Sequence, residues 1–124
     1  MAADESVNIE TKAPFATIVN IASGQGVLPN TPNMTAYAAS KGGVVNLTRA
    51  HAAELAPSIR VNSVCPGMVD TPMTAGLQRE VDRYALKRIA EPMEIAQAIL
   101  FLTGTESSFV TGAALAVDGG RTFH

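Results

Sequence analysis

Residues 15–22 read FATIVNIA, residues 35–55 read TAYAASKGGVVNLTRAHAAEL, and residues 59–64 read IRVNSV. The first segment is β-branched and uncharged, as a strand buried on both faces of a parallel sheet should be. Ser23-Gly24-Gln25-Gly26 stops it. The second segment is rich in alanine, lacks internal proline and carries Lys41, Arg49 and Glu54 as its charges. It reads as one long helix, apolar on more than one side and so covered on more than one side. Ala56-Pro57 ends it, and the third segment reads as a second buried strand closed by Cys65-Pro66-Gly67. Strand, helix and strand in this order predict a right-handed βαβ unit.

Working outward, residues 68–87 are mixed in character. Thr71-Pro72 reads as a turn, and Ala75 to Leu86, with Arg79, Glu80, Asp82 and Arg83, as a helix on a solvent-facing flap. Glu91-Pro92 opens a further helix, with proline in the first turn and Glu94 near the positive end of the dipole. Ile95, Ile99 and Leu102 recur at helical spacing, and Gly104 stops the helix. Ala113 to Val117 reads as a third short strand, ended by Asp118-Gly119-Gly120. Residues 1–14 are polar and aperiodic, a leader that reads as loop. The expected fold class is α/β, a partial doubly wound parallel sheet of three strands with flanking helices.

A chain of 124 residues has room for one domain. Its 47% hydrophobic content without tryptophan describes a globular chain with a core of aliphatic side chains and alanine. Nine Lys plus Arg against 11 Asp plus Glu lack the basic excess that phosphate backbones require, so no nucleic-acid partner is expected. Cys65 is the sole cysteine and can form neither an internal disulfide nor a metal cluster, which fits a reducing, cytoplasmic setting. The uncharged span between Lys12 and Lys41 holds Pro14, Pro29 and Pro32, which rule out a membrane helix there, and the acidic start resembles no secretory signal. His51 has one acid, Glu54, three residues on and no cysteine or further acid beside it, too few for a metal site, so none is expected. Cys65 reads as a core residue, Glu80, Asp82, Glu91 and Glu94 as solvated helix positions, and Asp118 as a turn residue.

The chemistry concentrates at Tyr37 and Lys41, four residues apart and so on one helix face. A lysine ammonium beside a phenol favours the phenolate and makes the tyrosine a usable proton donor or acceptor. Ser23, at the carboxyl end of the preceding strand, falls where open α/β sheets bind ligands. Each piece alone has a plainer reading, as a surface pair or a turn serine. The combination singles them out because the local sequences also match a known pattern.

Ile18-Val19-Asn20-Ile21-Ala22-Ser23, Tyr37-Ala38-Ala39-Ser40-Lys41-Gly42-Gly43, Ile59 to Gly67, and Thr111-Gly112 with Val117-Asp118-Gly119-Gly120 resemble, in order and spacing, the short-chain dehydrogenase/reductase family. The likeness runs from about Phe15 to Thr122 and rests on all four segments, since a lone YxxxK is weak. It implies a Rossmann-like fold and hydride transfer between NAD or NADP and a small alcohol or carbonyl substrate. By the same resemblance Tyr37 is the acid/base, Lys41 favours its phenolate and holds the nicotinamide ribose, and Ser23 steadies the substrate oxygen. Pro66, Gly67, Val69 and Thr71 resemble the stretch that contacts the nicotinamide end, Val69 through its backbone. Family members commonly pair through the long helix, here Thr35 to Leu55, which implies a homo-oligomer.

The family's glycine-rich TGxxxGxG turn, which brings backbone to the pyrophosphate at a helix N-terminus, has no counterpart here. Gly24-Gln25-Gly26 is too short and follows the wrong strand. The residue that selects NAD or NADP and the family's catalytic asparagine would lie upstream of Met1. Residues 15–124 are therefore expected to be the carboxyl-terminal catalytic half of a reductase, with weak cofactor binding by this chain alone. A rival reading is a truncated, non-enzymatic chain that retains the oligomerisation surface, and the DNA upstream of Met1 discriminates the two.

Overall fold

The computed structural model describes residues 7–8, 13–14 and 16–123, residues 78–79 excepted. Two short strands, β1 (Val7–Asn8) and β2 (Ala13–Pro14), pair antiparallel within the stretch expected to be loop. The main sheet holds β3 (Ala16–Ile21), β4 (Ile59–Pro66) and β5 (Ala114–Val117) in the order β3-β4-β5. All three run parallel, with Ala16 opposite Ile59 and Ser63 opposite Ala114. α1 (Thr35–Leu55) carries the chain from β3 to β4, and α2 (Pro92–Thr103) from β4 to β5. The expected βαβ architecture is thus present, with β4 running two residues longer than its sequence suggested.

β4 is the centre of the sheet, and its residues Arg60 to Cys65 are all buried. β3 differs from its expectation of burial on both faces. Ile18 and Ile21 are 38% and 44% exposed because β3 is an edge strand of the described sheet. Its apolar sequence reports what a strand can bury, whereas exposure depends on which neighbours flank it.

Successive β4 side chains point to opposite faces, and each face meets one helix. On the Cys65 face, Val45 of α1 packs with Ala22 and Cys65, flanked by Val44 and Ala114. Asn20 Nδ2 donates to Thr48 Oγ1 at 3.0 Å, and that hydroxyl donates to Val44 O at 2.8 Å, so the buried threonine hydroxyl is satisfied under the helix. The buried residues of α1 are Val45, Thr48 and Ala52, a single stripe. The expectation of cover on more than one side is therefore not met within this chain, where Leu47 stays 49% exposed.

On the opposite face Arg60 turns its guanidinium onto the carboxyl end of α2. It donates to Leu102 O at 3.1 Å, Gly104 O at 3.0 Å and Val110 O at 2.9 Å. Burial pulls this guanidinium below its ordinary value, and the three carbonyls are the acceptors that offset its desolvation. Asn62, fully buried, uses both ends of its amide, donating to Val110 O at 3.0 Å and accepting from Ala113 N at 2.9 Å. This pair fixes where β5 enters the sheet.

α2 starts as the sequence suggested, with Glu91 as the cap and Pro92 in the first turn. Glu94 accepts from Glu91 N at 2.9 Å and from both terminal nitrogens of Arg88 at 2.7 and 2.8 Å. Hydrogen bonds from Arg88, then from the Glu91 backbone, hold its carboxyl down to about 2. A folded value below the ordinary 4.5 means the stabilisation is present above that pH and is lost as pH falls from there toward 2. An NMR titration of the Glu94 carboxyl should give a midpoint far below the usual ~4.3. A midpoint near that reference would remove the ion pair from the solution structure.

The helix expected over Ala75 to Leu86 does not form. The described residues there make short 3-10 turns at Pro72–Thr74 and Val81–Arg83, and Gln78 and Arg79 lie outside the described residues. Bonds to other segments replace helical ones: Tyr84, 7% exposed, accepts from Met68 N at 2.9 Å, and Leu86 N donates to Gly119 O at 3.0 Å. Lys87 then takes a left-handed φ of 56°, which no helix continues.

Candidate active site

Ser23 lies two residues beyond the end of β3 and caps the 3-10 turn Gly24–Gly26 in an extended conformation. Its Oγ accepts from Gln25 N at 3.2 Å. Tyr37 lies in the first turn of α1 and is 42% exposed, and Lys41 follows one turn later. Lys41 Nζ sits 5.9 Å from the centre of the Tyr37 ring and donates to Ile21 O at 3.4 Å. The ammonium therefore bridges the start of α1 and the carboxyl end of β3, two residues before Ser23.

Close backbone contact holds this corner together. A Cβ on Gly26 would lie 2.7 Å from the carbonyl carbon and oxygen of Lys41, so only glycine lets the serine loop lie against α1 there. A Cβ on Gly24 would lie 3.6 Å from Pro66 O, which brings the end of β4 against the same loop. At Gly67 a Cβ would fall 2.7 Å from Tyr84 Cε1 and 3.2 Å from Asp118 Cα, so this glycine admits the Tyr84 ring. Lys41 against Tyr37 and Gly26, and Pro66 against Gly24, thus bring the serine loop, the start of α1 and the end of β4 to one corner at the carboxyl ends of β3 and β4. Val69 and Thr71 lie further along the outgoing segment, and their bonds run to the flap. Val69 bridges Ala90, and its carbonyl accepts from Thr74 Oγ1 at 2.6 Å, while Thr71 N donates to Thr74 Oγ1 at 3.0 Å.

The other singled-out residues have structural work. Cys65 is fully buried, and burial pushes its thiol up, away from nucleophilic use. Asp118 accepts from Gly120 N at 3.0 Å, Thr122 N at 3.1 Å and Thr122 Oγ1 at 2.6 Å, the bonds of a structural turn. Among the described residues no three His, Cys, Asp or Glu cluster as metal ligands do, and no helix is long and apolar enough to cross a membrane. A cavity of about 230 Å³ lies between flap and α2, lined by Tyr84, Arg88, Glu94 and Val117 among others, away from Ser23, Tyr37 and Lys41. Tyr84, Thr31 and Arg121 carry contacts around the site that the sequence did not reveal, because each depends on a partner distant in the chain.

The family model described as enoyl-(acyl carrier protein) reductase matches residues 2–122. The chain belongs to the short-chain dehydrogenase/reductase family. It is 54% identical over 112 residues to trans-4-hydroxycyclohexanecarboxylate dehydrogenase of Sinomonas cyclohexanicum, a match covering 90% of this chain and 43% of that protein. It is 48% identical to the 3-oxoacyl-(acyl-carrier-protein) reductase of Thermotoga maritima, covering 84% of this chain and 44% of that one. The structure of 3-ketoacyl-(acyl-carrier-protein) reductase from Brucella melitensis complexed with NADH superimposes with a TM-score of 0.80 at 37% identity, over 92% of this chain and 46% of that one. The chain thus spans about half the length of the curated relatives it matches.

The site's donor set fits one end of the nicotinamide cofactor that the family implies. A lysine ammonium and a phenol suit a ribose diol. A pyrophosphate needs backbone N–H groups at a glycine-rich helix start. Among the described residues α1 opens after Met34 and α2 after Glu91, so neither supplies that cradle.

Proposed function

We propose that this chain is the catalytic half of an NAD(P)-dependent oxidoreductase that interconverts a small alcohol and its carbonyl. The observation that carries the reading is Lys41, whose ammonium lies over the Tyr37 ring while bonded to the strand end beside Ser23. The nicotinamide ring, when bound, supplies or accepts the hydride. Tyr37 gives its phenolic proton to the substrate oxygen in reduction and recovers it in oxidation. Lys41 stabilises the phenolate that results and offers its remaining hydrogens to the nicotinamide ribose. Ser23 Oγ already accepts from Gln25 N, which leaves its own proton to hold the substrate oxygen. Pro66, Gly67, Val69 and Thr71 form the stretch that contacts the nicotinamide end, Val69 through its backbone.

The family resemblance supports each of these roles, and the compartment we infer is the cytoplasm. The test is to join this sequence to the in-frame region upstream of Met1 and follow NAD(P)H absorbance with a panel of ketones and cyclic alcohols. Turnover supports the reading. A folded, cofactor-binding product without turnover on any of them would favour the non-enzymatic alternative.

The chain alone should bind cofactor weakly. Calorimetry with NADH and NADPH should find no site tighter than roughly millimolar, because contacts at one end of a dinucleotide do not offset the entropy of association. A micromolar site would overturn the split of cofactor contacts proposed here.

We also infer a homo-oligomer through α1. Val45 points into the core, so the contact falls to the opposite side, where Leu47 is 49% exposed. Leu47→Lys should shift the oligomer toward monomer in light scattering. A monomer at high concentration, unchanged by that substitution, would remove α1 as the interface.

A further inference from the structure

Three segments that surround the site meet on one hydroxyl. Thr31 Oγ1 lies within hydrogen-bond distance of three donors, Gln25 Nε2 at 2.7 Å, Arg121 Nη2 at 2.9 Å and Arg83 Nη1 at 3.3 Å, which share its two lone pairs. Gln25 belongs to the turn that Ser23 caps, Arg83 to the flap, and Arg121 to the turn after β5. Arg121 Nη2 also donates to Asn30 Oδ1 at 2.8 Å.

Arg121 is only 6% exposed, and among the described residues its side-chain acceptors, Asn30 and Thr31, are neutral. A guanidinium buried without a carboxylate is costly, so its retention there needs a reason. Its base is rigid. Arg121 N donates to Asp118 O at 3.1 Å, while the Asp118 carboxylate ties down Gly120 and Thr122 on either side. Its head holds the far limb of the serine loop, where Asn30 and Thr31 take Nη2, and lies against the near limb, where an added Cβ on Gly24 would be 3.7 Å from an Nη1 that has no hydrogen-bond partner. Within the same loop Gly26 rests on the Lys41 backbone, and Gly26 N donates to Ser23 O at 2.9 Å.

Resting on the oxidoreductase reading above, we propose that Arg121 is a positioning residue: it clamps loop 24–31 to the turn after β5 and thereby sets Ser23 against the Tyr37–Lys41 pair. Arg121 touches neither substrate nor cofactor in this role. Its loss lets the serine loop drift, and displacement of a positioned group by a fraction of an ångström to an ångström slows the chemical step without weakening ligand binding elsewhere.

The test uses the longer enzyme that carries this half. Arg121→Met, which keeps the stem and removes the donors, should lower kcat for carbonyl reduction by about tenfold, with NAD(P)H affinity, read by nucleotide fluorescence, within about twofold. Arg121→Lys, whose ammonium can donate to both Asn30 Oδ1 and Thr31 Oγ1, should restore most of the loss. Thr31→Val removes the shared acceptor while leaving Arg121 in place, should lower kcat in the same sense, and serves if Arg121→Met does not fold. Wild-type kcat in Arg121→Met and Thr31→Val overturns the proposal, as does an equal loss of cofactor affinity or no recovery with lysine. Tyr37→Phe run beside them separates the two readings. Retained activity in that variant defeats the assignment of Tyr37, whereas its inactivity with wild-type kcat in Arg121→Met defeats the clamp alone.

Discussion

Tyr37→Phe, in an enzyme that joins this half to a nucleotide-binding half, lowers turnover by about two orders of magnitude or more. The substitution removes the transferable proton and keeps the ring. Because Tyr37 is 42% exposed and outside the buried stripe of α1, the fold does not depend on its hydroxyl. Lys41 keeps its bond to Ile21 O, so the corner between β3 and α1 stays assembled in the variant. Steady-state kinetics should therefore show a collapse in kcat while melting temperature and cofactor affinity stay close to wild type. Carbonyl reduction at near wild-type rate would end the case for Tyr37 as acid/base.

Gly26→Ala is the second large effect, and it acts on the scaffold. The added methyl would meet Lys41 C and O at 2.7 Å and Gly42 N at 3.0 Å, all backbone atoms of a helix that cannot rotate aside. The serine loop must lift from α1, a rearrangement that costs about 1–3 kcal/mol by analogy with overpacked cores. Thermal unfolding followed by circular dichroism should show a fall of several degrees, and the longer enzyme should lose activity as well. Gly43→Ala is the control, since nothing lies within 4 Å of a methyl placed there. Equal melting temperatures for Gly26→Ala and the unmodified chain would show that the close approach is not maintained in solution.

That Tyr37 and Lys41 share a helix face and that Ser23 falls at a strand end was legible in the sequence because each placement rests on a local period, whereas their roles rest on the family resemblance and are proposed. Four residues span one helical turn, and a serine after a β-branched run falls at a strand end whatever surrounds it. The order β3, α1, β4, α2, β5 followed from the same local periods and the handedness of crossovers. What escaped depends on partners far along the chain. Arg121 is 90 positions from Thr31, and nothing in either neighbourhood announces the bond. The segment expected to be a helix has the same cause, because the Tyr84 hydroxyl is held by Met68 N and Leu86 N by Gly119 O, both far along the chain. The exposure of β3 also escaped, since an edge position is a property of the sheet and not of the strand.

The parallel register also has a consequence in time. Ala16 pairs with Ile59 and Ser63 with Ala114, so each rung closes a loop of more than forty residues before it yields any contact. The hydrogen bonds of α1 span four residues, and helices of this length form on a scale of about a microsecond. Parallel pairing is slower because its closure entropy precedes its reward. β4 is the strand that both neighbours need, so until it is placed neither β3 nor β5 has a partner. The time β4 takes to find its place therefore sets how long the apolar strands stay unpaired and open to self-association.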